Sequence, residues 1–257
     1  MKFLITILCA TFVASSAFAQ RINVVNPGSE EGGFRQALTS IVETLDHRFI
    51  QANNPVTAFT YLNNDNVLTM WGSEWPGNGI QSPEITEGNI VALIAAETVM
   101  CSRKFSSLEE MSGQQVKISS WGSVPVSNYL NNLGIRFNID FVVVPYDGSG
   151  SMVRGYVGGD ADTIFTIASR QQSIEEDPNT SCFAFSETDE LNFRFVDAII
   201  TLNADSKVTA LLRAIVKDLK ETTEWQNRFS GTVTYVDLNN NADILKIYDE
   251  AVVNFSQ

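Results

Sequence analysis

Apolar residues along this chain alternate between two spacings. Arg21 to Val25 (RINVV) is a short β-branched run stopped by Asn26-Pro27-Gly28, which predicts a strand and a turn. Phe34, Ala37, Leu38, Ile41, Val42, Leu45 and Phe49 then recur at helical offsets, one continuous stripe on one face. That stripe predicts a helix with His47 near its end. Val56 to Tyr61 and Val67 to Trp71 read as strands, followed by a turn-rich stretch over 72–88. Ile90 to Val99 is apolar almost throughout. A bulged strand and a buried helix both fit it, and its length favours the strand.

From Val116 the pattern restarts. Val116 to Ser120 predicts a strand, and Trp121-Gly122-Ser123 turns into a helix carrying Val126, Tyr129, Leu130 and Leu133, with Gly134 expected at its C′ position. Phe141 to Val144 reads as a strand buried on both faces. Pro145 to Ser151 is a turn, and a short helix with Met152, Val153, Tyr156 and Val157 stops at Gly158-Gly159. Asp162 to Ile167 is a further strand, 169–181 a polar connection, and Phe193 to Leu202 extended. Val208, Leu211, Leu212, Ile215, Val216 and Leu219 predict a helix capped by Asp205 or Ser206. A helix over 224–229, a strand over 233–236 and a last helix begun at Asn241 complete the order. Strands alternating with helices imply parallel sheets covered by helices.

The N-terminus adds a compartment. Lys2, an apolar run from Phe3 to Val13 and Ala17-Phe18-Ala19 predict a secretory leader over residues 1–19, removed before Gln20. The run is about half the length that spans a bilayer. About 238 residues would remain, room for one large domain or two small lobes. Periplasmic localisation is the expectation, with no direct membrane insertion.

Charge narrows the partners. Asp plus Glu number 30 against 17 Lys plus Arg, a balance that repels nucleic acid and anionic headgroups. An anionic guest would need a locally built site of backbone N–H groups and helix ends. Of three cysteines, Cys9 falls in the leader, leaving Cys101 and Cys182. In an oxidising compartment they predict one disulfide, with two buried thiols as the alternative. One histidine and no Cys-x-x-Cys give no metal site, and no cofactor is expected.

Candidate chemistry gathers in strand-to-helix turns. Pro27-Gly28-Ser29-Glu30-Glu31-Gly32-Gly33 opens the first helix, Trp121-Gly122-Ser123 another, and Pro145-Tyr146-Asp147-Gly148-Ser149-Gly150-Ser151 a third. Glycine there lets backbone approach a ligand, and a helix start offers N–H donors. In open α/β sheets ligands sit beyond the strands' carboxyl ends, where such turns lie. The first turn lacks both the dinucleotide and the Walker spacing. Glu30-Glu31 could serve as an acid–base pair, though carboxylates also simply favour a helix's first turn. Ser123, Ser149 and Ser151 have no partner histidine, so a nucleophilic triad has no support.

The stretch Val144-Pro145-Tyr146-Asp147-Gly148, then Gly158-Gly159-Asp160-Ala161-Asp162 before the apolar Thr163-Ile164-Phe165, resembles a hallmark of the substrate-binding receptors of tripartite tricarboxylate transporters, the Bug-type solute-binding proteins. The resemblance implies an α/β, two-lobed periplasmic-binding-protein fold (type II, Venus flytrap), each lobe a mostly parallel sheet flanked by helices. It places lobe 1 over 20–101 plus 198–257 and lobe 2 over 102–197. It implies a monomeric receptor, not an enzyme, that captures a small carboxylate-bearing molecule and delivers it to membrane permease subunits. A sensory receptor of the same fold, and an enzyme using Glu30 and Glu31, are the alternatives. Ligand contacts carried over by position are Gly32, Gly33, Ser120, Trp121, Gly122, Ser123, Tyr146, Gly148, Ser149 and Thr166. Trp121 could wall the cleft or fill the core. The chain departs from the family where Phe34 takes the place of an aspartate and where Asn53-Asn54-Pro55 replaces a glycine-rich loop.

Overall fold

A computed structural model of the protein describes residues 21–30, 32–146, 148–184, 193–238 and 241–256. The expected leader with Cys9, and the candidate residues Glu31 and Asp147, lie outside the described residues.

The first half begins with β1 (Ile22–Asn26), α1 (Gly33–Val42), β2 (His47–Gln51), α2 (Pro55–Tyr61) and β3 (Val67–Gly72). The second half holds α3 (Leu108–Met111), β5 (Gln115–Trp121), α4 (Val124–Phe137), β6 (Asp140–Tyr146), α5 (Ser149–Gly158), β7 (Thr163–Ile167), α6 (Gln171–Ile174) and β8 (Ser181–Ala184). Between them run two long strands, β4 (Ile90–Ser102) and β9 (Arg194–Leu202). The chain ends on α7 (Ser206–Leu219), α8 (Thr223–Arg228), β10 (Thr232–Tyr235) and α9 (Ala242–Ser256).

The sheet order is β2-β1-β3-β9-β4-β7-β5-β6, with β10 and β8 added on β4. β2, β1 and β3 are parallel, as are β6, β5 and β7. β9 is antiparallel to β3 and β4, and β4 is antiparallel to β7. β4 therefore serves both halves. Its residues 90–97 pair with β9, and 98–102 pair with β7. Apolar clusters cover both faces of each half. Leu38, Ile41, Leu68 and Leu212 lie on one face of the first, and Trp71, Leu93, Ile200 and Tyr248 on the other. Ile118, Leu130 and Phe165 lie against one face of the second, and Met152, Tyr156 and Ile164 against the other. Cys101 and Cys182, directly paired across β4 and β8, are joined by a disulfide.

Several elements differ from the sequence pattern. The first helix stops at Val42, and His47 to Gln51 pair in parallel with β1, so Leu45 and Phe49 extended the helical stripe by coincidence. Val56 to Tyr61 is helical: Asn54 accepts from the Thr57 amide as N-cap and Pro55 occupies the first turn, which overrides the β-branched composition. Gly134 is inside α4, which runs to Phe137 and ends on Asn138 at φ 56°. Glycine is required there because a β-carbon would sit 2.5 Å from the Ile139 carbonyl oxygen. β6 is an edge strand with Val142 exposed, not one buried on both faces. The connection over 169–181 contains α6 and the start of β8. Asp205 caps α7 through the Lys207 amide, and β4 is the bulged strand its length suggested.

Candidate functional site

The parallel strands of each half present their carboxyl ends along one edge, and three of the longer helices begin there. α1 starts at Gly32 after β1, α4 at Ser123 after β5, and α5 at Gly148 after β6. None of these three N-caps makes a side-chain hydrogen bond among the described residues. Elsewhere Asn54, Ser107, Asp205 and Thr222 each accept from a first-turn amide. The helix starts at the strands' carboxyl edge thus keep N–H donors for another acceptor.

The loop before α1 is built by two amides. Asn26, fully buried at the end of β1, donates to the carbonyls of Gly28 and Ser29 and accepts from the Gly28 amide. Gln51 donates to the Gly28 carbonyl at 2.6 Å. Gly32 and Gly33 follow, and a β-carbon on Gly33 would meet nothing within 4 Å. Glu30 is exposed.

Eight of the ten candidate residues come together in the second half. Ser120 pairs with Pro145 and Trp121 with Tyr146, while the Gly122 amide donates to the Tyr146 carbonyl at 3.2 Å. β7 brings Thr166 alongside, in register with β5 through Ser119 and Ile164. The hydroxyls of Ser120, Ser123 and Thr166 are buried with no hydrogen-bond partner among the described residues, and that of Ser119 lies beside the Tyr146 hydroxyl. Such groups are normally satisfied, so three near one sheet edge require a reason. Trp121 packs edge-on to Phe165 and Phe195 at 6.3 and 4.8 Å, filling the core on that side while remaining partly exposed. Tyr146 turns away from the helix starts. Its ring lies against Gly155 and its hydroxyl donates to Asp160 at 2.6 Å, a bond that raises the phenol's pKa.

Contacts join the two edges. Phe34, in the first turn of α1, meets Trp75 edge-on at 5.6 Å. Three residues on, Asn78 in a 3-10 turn (Pro76–Asn78) accepts from the Val124 amide at 3.0 Å. The path from Gly32 and Gly33 to Tyr146 and Gly148 therefore runs through Trp75, Asn78 and α4.

Two features escaped the sequence reading. Arg170, three residues past β7, donates from Nε to Ser149 Oγ at 3.3 Å and has no acidic partner within 4 Å among the described residues. It sets a positive charge beside the start of α5. Glu74 and Asp197 stand near each other past the end of β3, and burial followed by mutual repulsion holds the Asp197 carboxyl well above its usual range. Burial likewise pushes Glu74 up to about 7, against smaller pulls from its own amide and the Trp75 indole. A depression of about 620 Å³ bounded by Gln115, Asn131, Asn138 and Asp140 lies at the other, amino ends of β5 and β6.

Strand order, the shared β4 and helix starts converging on one edge define a two-lobed α/β periplasmic-binding-protein fold. The particular form is that of the TctC- and Bug-type proteins. MatC from Rhodopseudomonas palustris with bound malate superposes with a TM-score of 0.67 at 14% identity, covering 93% of this chain and 98% of that one. An R. palustris protein with adipate gives 0.68 at 11%, covering 92% and 95%. A TctC solute-binding protein from Polaromonas, without ligand, gives 0.60 at 12%, covering 92% and 98%. No family model and no curated protein matches the sequence. At these identities the similarity establishes the fold. No helix among the described residues is long and apolar enough to cross a membrane.

Proposed function

We propose that this chain is a periplasmic solute-binding receptor, exported by a leader over 1–19, that captures a small carboxylate-bearing molecule and performs no chemistry on it. Residues 20–101 with 198–257 form one lobe and 102–197 the other, closing on the guest as a monomer. Membrane permease subunits of a tripartite tricarboxylate-type transporter receive it. Gly32 and Gly33 contribute backbone from the first lobe. Ser120, Gly122, Ser123, Gly148, Ser149 and Thr166 contribute hydroxyls and amides from the second, Trp121 walls the cleft beside them, and Tyr146 positions its loop.

The observation that carries this reading is the set of orphaned hydroxyls on Ser120, Ser123 and Thr166 beside helix starts whose own N-cap residues make no side-chain bond among the described residues. A carboxylate is an acceptor with several lone-pair sites, the group such donors lack. Arg170 adds a positive charge of the kind an acidic protein must supply locally. The malate and adipate held by two proteins of the same fold support the same class of guest.

Thermal unfolding of the mature protein with malate, adipate, citrate and amino acids tests it. At a hundredfold excess over Kd a true ligand stabilises by about 2.7 kcal/mol. That is a rise of roughly 5–10 °C for a protein this size. No rise with any carboxylate would overturn the reading.

A further inference from the structure

Two carboxyl groups near the seam between the halves stand close enough to repel each other. Glu74 lies two residues past β3, and its side chain folds back over Gly72, where a β-carbon would stand 2.6 Å from Oε2. Gly72 is the cross-strand partner of Asp197 on β9. Directly opposed residues hold their β-carbons about 4.5–5.5 Å apart, so the Glu74 carboxyl occupies the place facing the Asp197 side chain. Neither residue has a Lys or Arg within 4 Å among the described residues. Glu74 Oε2 is buried without a hydrogen-bond partner, and so is the hydroxyl of Tyr248, a residue 4% exposed in α9. Burial first, then the fields of Glu74, Asp197 and the neighbouring Asp249, hold that phenol protonated.

The place of the pair in the fold matters as much as its charge. Asn78, which holds the start of α4, also donates to the Glu74 carbonyl at 3.2 Å, and Trp75 touches the first turn of α1. Glu74 therefore sits between the helix starts of the two halves. In the second half the chemistry inverts: among the described residues no side chain caps the start of α5, Arg170 stands beside it, and the Thr166 hydroxyl is buried without a partner. The start of α5 suits an anion, and the carboxyl pair repels one.

We propose that the guest is an amino-carboxylate, its carboxylate held at the start of α5 beside Arg170 and its ammonium received by Glu74 and Asp197. The inference rests on the receptor reading and narrows its ligand from carboxylates in general to zwitterions. An ammonium has three N–H donors and a full charge, which satisfies the orphaned oxygen and cancels the repulsion of the pair. A dicarboxylate would add further negative charge beside a half-buried pair.

Proton linkage separates the alternatives. Near pH 7 Glu74 is partly protonated, because its carboxyl is pushed up to about 7. An arriving ammonium favours the ionised form and expels a proton, whereas an arriving carboxylate draws one in. Calorimetric titration of the mature protein at pH 7, in two buffers of different ionisation heat, reads this directly. The probes are ω-amino acids from glycine to 6-aminohexanoate, aspartate and glutamate, dicarboxylates of matched length, and terminal diamines. The expected result is an amino-carboxylate bound at least tenfold more tightly than its dicarboxylate match, with net proton release. Glu74→Gln should abolish that release, weaken the amino-carboxylate at least tenfold and strengthen the dicarboxylate. Asp197→Asn is the second variant, with the same expected direction. Tighter binding of a dicarboxylate with proton uptake would overturn the inference and leave the receptor reading standing. Diamines binding while every carboxylate fails would overturn both, as would binding by none of the probes.

Discussion

Val124 donates its backbone N–H to Asn78 Oδ1 at 3.0 Å, so a side chain that follows β3 in one half caps the helix that opens the other. Asn78 Nδ2 donates in turn to the Glu74 carbonyl, tying the cap to the turn that carries the half-buried acid. Asn78→Ala removes both bonds. A lost N-cap costs about 0.5–2 kcal/mol, and here the loss falls between the halves rather than within one. The variant should unfold a few degrees lower, and its radius of gyration in solution scattering should exceed that of the parent. An unchanged radius would mean that the bond does not hold the halves together.

Arg170 has no acidic partner within 4 Å among the described residues and stands 3.3 Å from Ser149 at the start of α5. Arg170→Gln keeps a donor in reach of Ser149 and removes the charge. Hydrogen bonds to charged groups contribute about 1.5–3 kcal/mol. The variant should bind its carboxylate about ten- to a hundredfold more weakly, with its unfolding temperature in the absence of ligand unchanged. Calorimetry on parent and variant checks both.

Gly155 lies inside α5, where alanine would ordinarily stabilise a helix by about 1 kcal/mol. Here a β-carbon would overlap the Tyr146 ring and hydroxyl. Gly155→Ala should therefore destabilise by about 1–3 kcal/mol, the usual range for overpacking, and expel Tyr146 from Asp160. Tyr146→Phe in the same background should recover little, because the ring itself collides. Denaturant midpoints of the parent and the two variants decide it.

What the sequence shows and hides follows from range. Strands such as Val67–Gly72 and the α7 stripe are local patterns and read correctly. Val56–Tyr61 carries a β-branched run that points to a strand, and the Asn54 cap with Pro55 in the first turn overrides it. The 34–49 stripe misread because a helical and an extended segment happened to share a phase. The glycine-rich turns at Gly32, Gly122 and Gly148 were legible because glycine punctuates a strand-to-helix junction. Arg170 was hidden in a polar connection, and only β7's place beside β5 brings it to α5. Glu74 and Asp197 are 123 residues apart, joined by the antiparallel register of β3 on β9, which nothing in a linear pattern reveals.

The disulfide ties the end of β4 to β8 across a sequence separation of 81 residues. A closed loop of that length restrains the unfolded chain by about 4 kcal/mol in the entropic account, and removing a native bridge costs about 2–5 kcal/mol. Mature protein should show no free thiol on alkylation under denaturing conditions and two after reduction. Cys101→Ser with Cys182→Ser should lower the denaturant midpoint accordingly. Cys101 is fully buried, so reduction by mild thiols should be slow until the protein opens.

Glu74 gives the fold a pH dependence with a definite sign. Its carboxyl is raised from an ordinary 4.5 to about 7, first by burial, and Asp197 is raised beside it by burial and by Glu74 itself. The folded protein therefore holds more protons than the unfolded chain between those two values, and stability falls as pH rises through that window. Above it the ionised pair repels in full, with no Lys or Arg within 4 Å of either carboxyl among the described residues and with Tyr248 and Asp249 as the neighbouring groups. Glu74→Gln removes the titration and most of the repulsion. The variant should match the parent near pH 5 and unfold at a higher temperature than the parent at pH 8, in the absence of ligand. Equal melting curves at pH 8 would mean that water or a hydrogen bond already neutralises the pair, and that the acid at the seam does not await a positive partner.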